Sequence, residues 1–237
     1  MGGARWSWLG RVPFGPVAEL QEQLRSRVLD GRGAETLLLL EHHPVITLGR
    51  SAEPAHVLAA APELARRGIS LHRASRGGDV TYHGPGQLVG YPVVRLDRGV
   101  VGHVRAMADG LIQVLAGLGI AAIWRRESPG LWVATPHGEA KICSFGVNVH
   151  RRVAVHGFAL NVAVDLDAFS LIVPCGLPGV AMTSIDRLVS GAAATLPLSP
   201  ELLAGEVAGA LGRSFRRDFQ PVDAARLIRM PAQEQPA

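Results

Sequence analysis

Two kinds of side chain in this 237-residue sequence could do covalent chemistry, its thiols and its single primary amine. The thiols are Cys143 and Cys175, and the amine is Lys141, the one lysine beside 23 arginines. Where only positive charge is needed, arginine has replaced lysine. The lysine that remains marks a place where a wide, flat guanidinium that never gives up its proton would not serve. Chance survival in an arginine-biased composition is the plainer alternative.

Cys175 lies in Pro174-Cys175-Gly176. Proline biases Val173 towards an extended conformation, and Gly176 permits a sharp turn, so the thiol is presented at a loop tip. Thiolate is the reactive form, and a nearby ammonium favours it. Cys175 and Lys141 therefore make a sensible pair, provided that the fold brings them together. Spacing along the chain does not do so. In Lys141-Ile142-Cys143-Ser144-Phe145-Gly146, strand alternation puts Lys141, Cys143 and Phe145 on one face, which makes Cys143 a possible second thiol in the pocket.

Four glycines fall between Arg76 and Gln87. They let backbone approach a ligand, and the N–H groups near Gly77 and Gly78 are candidate oxyanion donors. The segment lacks both the Gly-Lys-Ser/Thr of a phosphate loop and the dinucleotide fingerprint. No Cys/His spacing matches a zinc site, so neither metal nor cofactor is expected. Farther on, His156-Gly157-Phe158-Ala159-Leu160-Asn161 has a glycine inside a strand pattern, a sign of close backbone approach.

The elements that must position these groups follow from periodicity. Helices are expected over 17–30, 62–67, 103–118 and 199–214, and strands over 36–41, 45–48, 87–96, 120–125, 130–134, 140–149 and 153–163. Residues 74–86 read as irregular, 174–176 as a loop and the C-terminus as a polar tail. The mixed order without strict alternation predicts an α/β or α+β class with a mixed sheet. A catalytic domain over 1–190 is expected, with 191–237 a small C-terminal part packed on it, the Gly191–Pro200 stretch marking the join.

Hydrophobic residues make up 48% and charged residues 19%, a globular balance. No apolar run reaches the ~20 residues of a membrane span, and the first residues lack a secretory pattern, so the cytoplasm is the expected location and no membrane the expected partner. The net charge of +4 suits an acidic partner. The arginines are dispersed and aromatics are only 5%, which argues against nucleic acid.

The segments 41–50, 76–87, 141–146, 156–161 and 174–176, in that order, closely resemble the lipoyl(octanoyl) transferase family. The resemblance covers residues 41–176, and the glycine-rich block and Pro-Cys-Gly are its specific parts. It implies a biotin/lipoate ligase-like fold and transfer of an octanoyl group from octanoyl-acyl carrier protein to a lysine of lipoyl domains, through a cysteine thioester. The acceptors implied are lipoyl domains of 2-oxoacid dehydrogenase or glycine cleavage proteins, and the chain is expected to act as a monomer. Cys175 matches the acylated cysteine and Lys141 the lysine that favours its thiolate. Arg76, Gly77, Gly78, Asp79, Val80, Thr81, Tyr82 and His83 match the acyl-substrate loop. Ser144, Phe145 and Gly146 match further substrate-binding positions, as do Gly157, Phe158 and Ala159. Two departures are Cys143, where the family usually has a small residue such as alanine, and Phe145, where an aliphatic residue is more common. Three rival readings remain: an ATP-dependent lipoate or biotin ligase, a cysteine hydrolase pairing Cys175 with His83 or His156, and an arginine-rich nucleic-acid binder.

Overall fold

The computed structural model describes residues 3–189 and 198–228. The elements in chain order are β1 (Arg5–Val12), α1 (Phe14–Leu29), β2 (Thr36–His42), β3 (Val45–Leu48), α2 (Ala61–Arg66), β4 (Ser70–Arg73), β5 (Val80–His83) and β6 (Gln87–Val93). There follow α3 (Gly99–Gly117), β7 (Ala122–Arg125), β8 (Gly130–Thr135), β9 (Gly138–His150), β10 (Val153–Asn161), α4 (Pro200–Phe215), β11 (Gln220–Pro221) and α5 (Ala224–Ile228). Among the described residues, no helix is long and apolar enough to cross a membrane.

The large sheet has the order β11-β1-β2-β6-β10-β9-β8-β7. β1 runs parallel to β2 and β11, and the remaining neighbours are antiparallel. The apolar run of β2 explains its central place. Leu37 and Leu39 pack on one face with Met107, Leu111 and Leu211 of α3 and α4, whereas Leu38 and Leu40 pack on the other with Val17, Leu24 and Val28 of α1. A strand covered on both faces has no need of alternation. Burying those four leucines contributes on the order of 2 kcal/mol each.

The small sheet, β4-β3-β5, has its own core of Ile46, Val80, Tyr82, Phe169 and Ile172. β2 and β3, expected as consecutive strands, do not pair with each other but belong to different sheets. His42 locks the crossing: its Nδ1 meets Val12 O at 3.0 Å and its Nε2 meets Tyr91 Oη at 2.8 Å.

Three further expectations are corrected. Residues 74–86 are not irregular throughout, because β5 pairs antiparallel with β3. β1 and β4 are additional strands. The C-terminal tail is partly ordered, since β11 extends the large sheet beside Arg5 and Trp6. α4 is capped by Ser199, whose Oγ accepts from Leu202 N at 3.3 Å, and packs on α3. Most of the expected Gly191–Pro200 join lies outside the described residues.

Four buried histidines are held neutral by burial: His42 and His103 are pushed down to about 4, His156 to about 3, and His83 well below its ordinary value. A histidine with a lowered folded pKa stabilises above its unfolded value near 6.5, and that contribution is lost as the pH falls towards the folded value. Equilibrium unfolding in denaturant should therefore show stability falling from pH 7 to pH 5, by roughly 2 kcal/mol for a histidine whose folded value is about 4. A flat profile would contradict their neutral burial.

Candidate active site

The site lies where the two sheets meet. Lys141, on β9, is 1% exposed although it is a lysine. Its backbone N–H donates to Ala181 O at 2.8 Å, and its C=O accepts from Thr183 N at 3.0 Å, which ties β9 to the segment following the Cys175 turn. Its side chain runs over Gly130, where a Cβ would stand 2.3 Å from Lys141 Cε. Nζ lies 5.6 Å from the Trp132 ring centroid, within cation–π range, and 3.4 Å from Cys175 Sγ. The fold thus joins the two residues that the sequence singled out separately.

Cys175 is half-buried in a short 3-10 turn, Pro174–Gly176, with φ 57° and ψ 22°. A non-glycine residue in this left-handed region is strained by roughly 1–2 kcal/mol. Ser144 Oγ stands 3.8 Å from Sγ. Neither His83 nor His156 hydrogen-bonds Cys175. His83 faces Gln87 Oε1 at 2.7 Å and Thr47 Oγ1 at 3.4 Å, and His156 Nε2 faces Ser75 Oγ at 3.0 Å. The cysteine–histidine dyad of a hydrolase is therefore not formed.

Cys143 is not a second thiol in the pocket. Leu131 pairs with Cys143 but Trp132 pairs with Lys141, so Ile142 is an extra residue bulged out of the ladder. Strand alternation breaks there. Ile142 and Cys143 both turn into the core under α3 and α4, while Lys141 and Ser144 face the cavity. Burial pushes the Cys143 thiol far up, opposed by the Lys141 charge.

A cavity of about 410 Å³ extends from Cys175 and Lys141, past Gly146 and Gly157, to Phe14, Tyr91 and His156. Gly146 and Gly157 face each other across β9 and β10, so neither contributes a side chain that would block the passage. Gly157 also answers the sign of close approach: a Cβ there would stand 2.3 Å from Gly90 O. Val100, Val101 and Val104 at the start of α3, with Trp124 and Phe145, add apolar wall. Sequence reasoning named Phe145 but missed Trp124 and the valines, and the helix was expected to start four residues later, beyond Val100 and Val101. It also missed Gly130 and Trp132 beside Lys141. A glycine at a strand start was the available signal.

Of the expected substrate-loop residues, Arg76, Gly77, Gly78, Asp79, Thr81 and His83 line the cavity. Val80 and Tyr82 alternate away into the small sheet's core. Gly77 N–H is spent on Val147 O at 2.9 Å, which removes it as an oxyanion donor. Arg76 knots the loop: Nη2 donates to Thr47 O at 2.7 Å and Nη1 to Asp79 O at 2.8 Å. Burial lowers its pKa, and the negative charge available at Cys175 opposes that shift. Lys141 and Arg76 have no carboxylate within ion-pair distance among the described residues. A thiolate at Cys175 would supply a negative charge beside both.

A mixed sheet of this order, with helices on both faces, is the lipoate protein ligase fold. The bi-partite lipoate protein ligase from Thermoplasma acidophilum superimposes with a TM-score of 0.72 at 18% identity, over 97% of this chain and 91% of that one. The chain belongs to the lipoyl protein ligase A/B catalytic domain family, whose sequence model matches residues 16–204. Among its relatives, a Chloroflexus aurantiacus protein named octanoyltransferase is 43% identical over 206 residues, 84% of this chain and 92% of its own. An Acidobacterium capsulatum protein of the same name is 43% identical over 224 residues, 89% of this chain and 88% of its own.

Proposed function

We propose that the protein is an octanoyltransferase of protein lipoylation that works through a thioester on Cys175. The observation that carries this reading is the 3.4 Å approach of a fully buried ammonium, Lys141 Nζ, to Cys175 Sγ on the wall of an apolar cavity. The name shared by the relatives supports the acyl group.

In the first step the Cys175 thiolate attacks the carbonyl carbon of octanoyl-acyl carrier protein. The carrier's sulfur departs and takes up a proton from Lys141 Nζ or from solvent, leaving octanoyl-Cys175. In the second step the neutral amine of a lipoyl-domain lysine attacks the same carbon. Cys175 departs as thiolate, and the amine's surplus proton passes to Lys141 or to solvent. Thioester exchange is near balance and amide formation is downhill, so no ATP is required. Lys141 Nζ and Ser144 Oγ, both beside Sγ, are the groups placed to stabilise the tetrahedral oxyanion. Burying an octanoyl tail along the cavity supplies roughly 5 kcal/mol at ~0.8 kcal/mol for each methylene. The basic surface suits an acidic carrier protein, and the cytoplasm is where donor and acceptor would meet. In this reading 1–190 form the catalytic unit, 191–237 complete it, and the chain acts as a monomer.

Mixing the protein with octanoyl-acyl carrier protein without ATP should add one octanoyl mass to it, and a lipoyl domain should then remove that mass. Transfer that depends on ATP and never passes through an acyl-enzyme would replace this reading with a ligase. Release of free octanoate without an acceptor would point to a hydrolase.

A further inference from the structure

We infer that His56 is a positioning residue for acyl transfer, acting through Asp79 on the turn that carries Cys175; this rests on the reading of Cys175 as the acylated group. His56 ends a short 3-10 turn, Pro54–His56, on a strap between the small sheet and α2. None of the motifs that point to the function includes it. Its Nδ1–H donates to Asp79 Oδ2 at 2.5 Å, with both side chains largely buried. The other Asp79 oxygen accepts from Val80 N at 2.7 Å and Glu53 N at 3.2 Å. The carboxylate is thereby fixed on both oxygens.

That carboxylate is pressed against the nucleophile's turn. A Cβ on Gly176 would stand 2.5 Å from Asp79 Oδ2, so the turn closes on Asp79 only because residue 176 has no side chain. The strap also holds the chain entering the turn. His56 O accepts from Val173 N at 2.8 Å, Val57 bridges Ile172, and Leu58 N donates to Leu171 O at 2.8 Å. Cys175 is thus gripped from the strap before it and from Asp79 after it. A strained left-handed residue persists only where its surroundings over-determine it, and here they do. There is also an electrostatic reason for the His56 bond. Asp79 lines the same cavity, and its negative charge opposes a thiolate. Donation from His56 directs that charge towards the strap.

The test is the burst of Cys175 octanoylation from octanoyl-acyl carrier protein, followed by quenched-flow intact mass. His56→Ala should slow the burst by about 100-fold, the usual cost of a misplaced reacting group, with the amplitude unchanged. An unchanged amplitude shows that every molecule remains folded and acylatable. His56→Gln moves the donor away from the Nδ1 position and should be equally slow, and it serves where alanine destabilises. His56→Asn keeps a donor near the Nδ1 position and should recover most of the rate. An alanine or glutamine burst as fast as wild type, or an asparagine burst no faster than alanine, overturns the inference while leaving the acyl-enzyme standing. A wild-type protein with no octanoyl adduct overturns both.

Discussion

Lys141→Met should lower the rate of Cys175 octanoylation by on the order of 10³-fold while leaving resistance to denaturant equal or improved. The two halves of this expectation share a cause. Lys141 is 1% exposed, and a buried charge costs desolvation that an apolar side chain of similar length avoids. In the proposed mechanism its worth is in the reaction: it stands 3.4 Å from Sγ, where it faces the thiolate and then the developing oxyanion. Lys141→Arg should not rescue the rate. The lysine stem already runs against Gly130, with Cε 2.3 Å from where a Cβ would stand there, and a planar guanidinium has no slot beside Trp132. Burst kinetics alongside denaturant midpoints check both substitutions. A normal rate in the arginine variant would mean that only the positive charge matters.

Cys175→Ala should abolish the octanoyl adduct and lower overall transfer by about 10⁴-fold or more, because the other thiol, Cys143, is turned into the core and cannot replace it. Cys143→Ala should keep both adduct and turnover. Its thiol is fully buried, faces the core and is held protonated by its surroundings. Intact mass and steady-state transfer to a lipoyl domain separate the two. An adduct that survives in Cys175→Ala and vanishes in Cys143→Ala would reverse the assignment.

The contrast between the two cysteines marks where sequence reading reached and where it stopped. Each member of the Cys175–Lys141 pair was legible by itself, Lys141 through its solitude among arginines and Cys175 through its proline and glycine neighbours. Their proximity was not, because it depends on the segment after the turn bonding to Lys141 through Ala181 and Thr183. The placing of Cys143 failed for a local reason: a single bulged residue, Ile142, breaks the alternation and turns Cys143 into the core. β2 and the long helices were readable because uniform burial or an amphipathic stripe leaves a period in the sequence. β5 was not, since its four residues follow a glycine-rich loop and are too few to show one. The division of β2 and β3 between two sheets has no signal in a two-residue link.

That division has a consequence for when the thiol meets its charged partner. Cys175 is gripped by the small sheet and its strap, and Lys141 belongs to the large sheet. In the proposed mechanism the charge that faces the thiol therefore comes from a different part of the protein. A nascent or partly opened chain, in which the two sheets have not docked, lacks the contact between Lys141 and Cys175. The proposed nucleophile and its charged partner are thus brought together only by the docking of the two sheets.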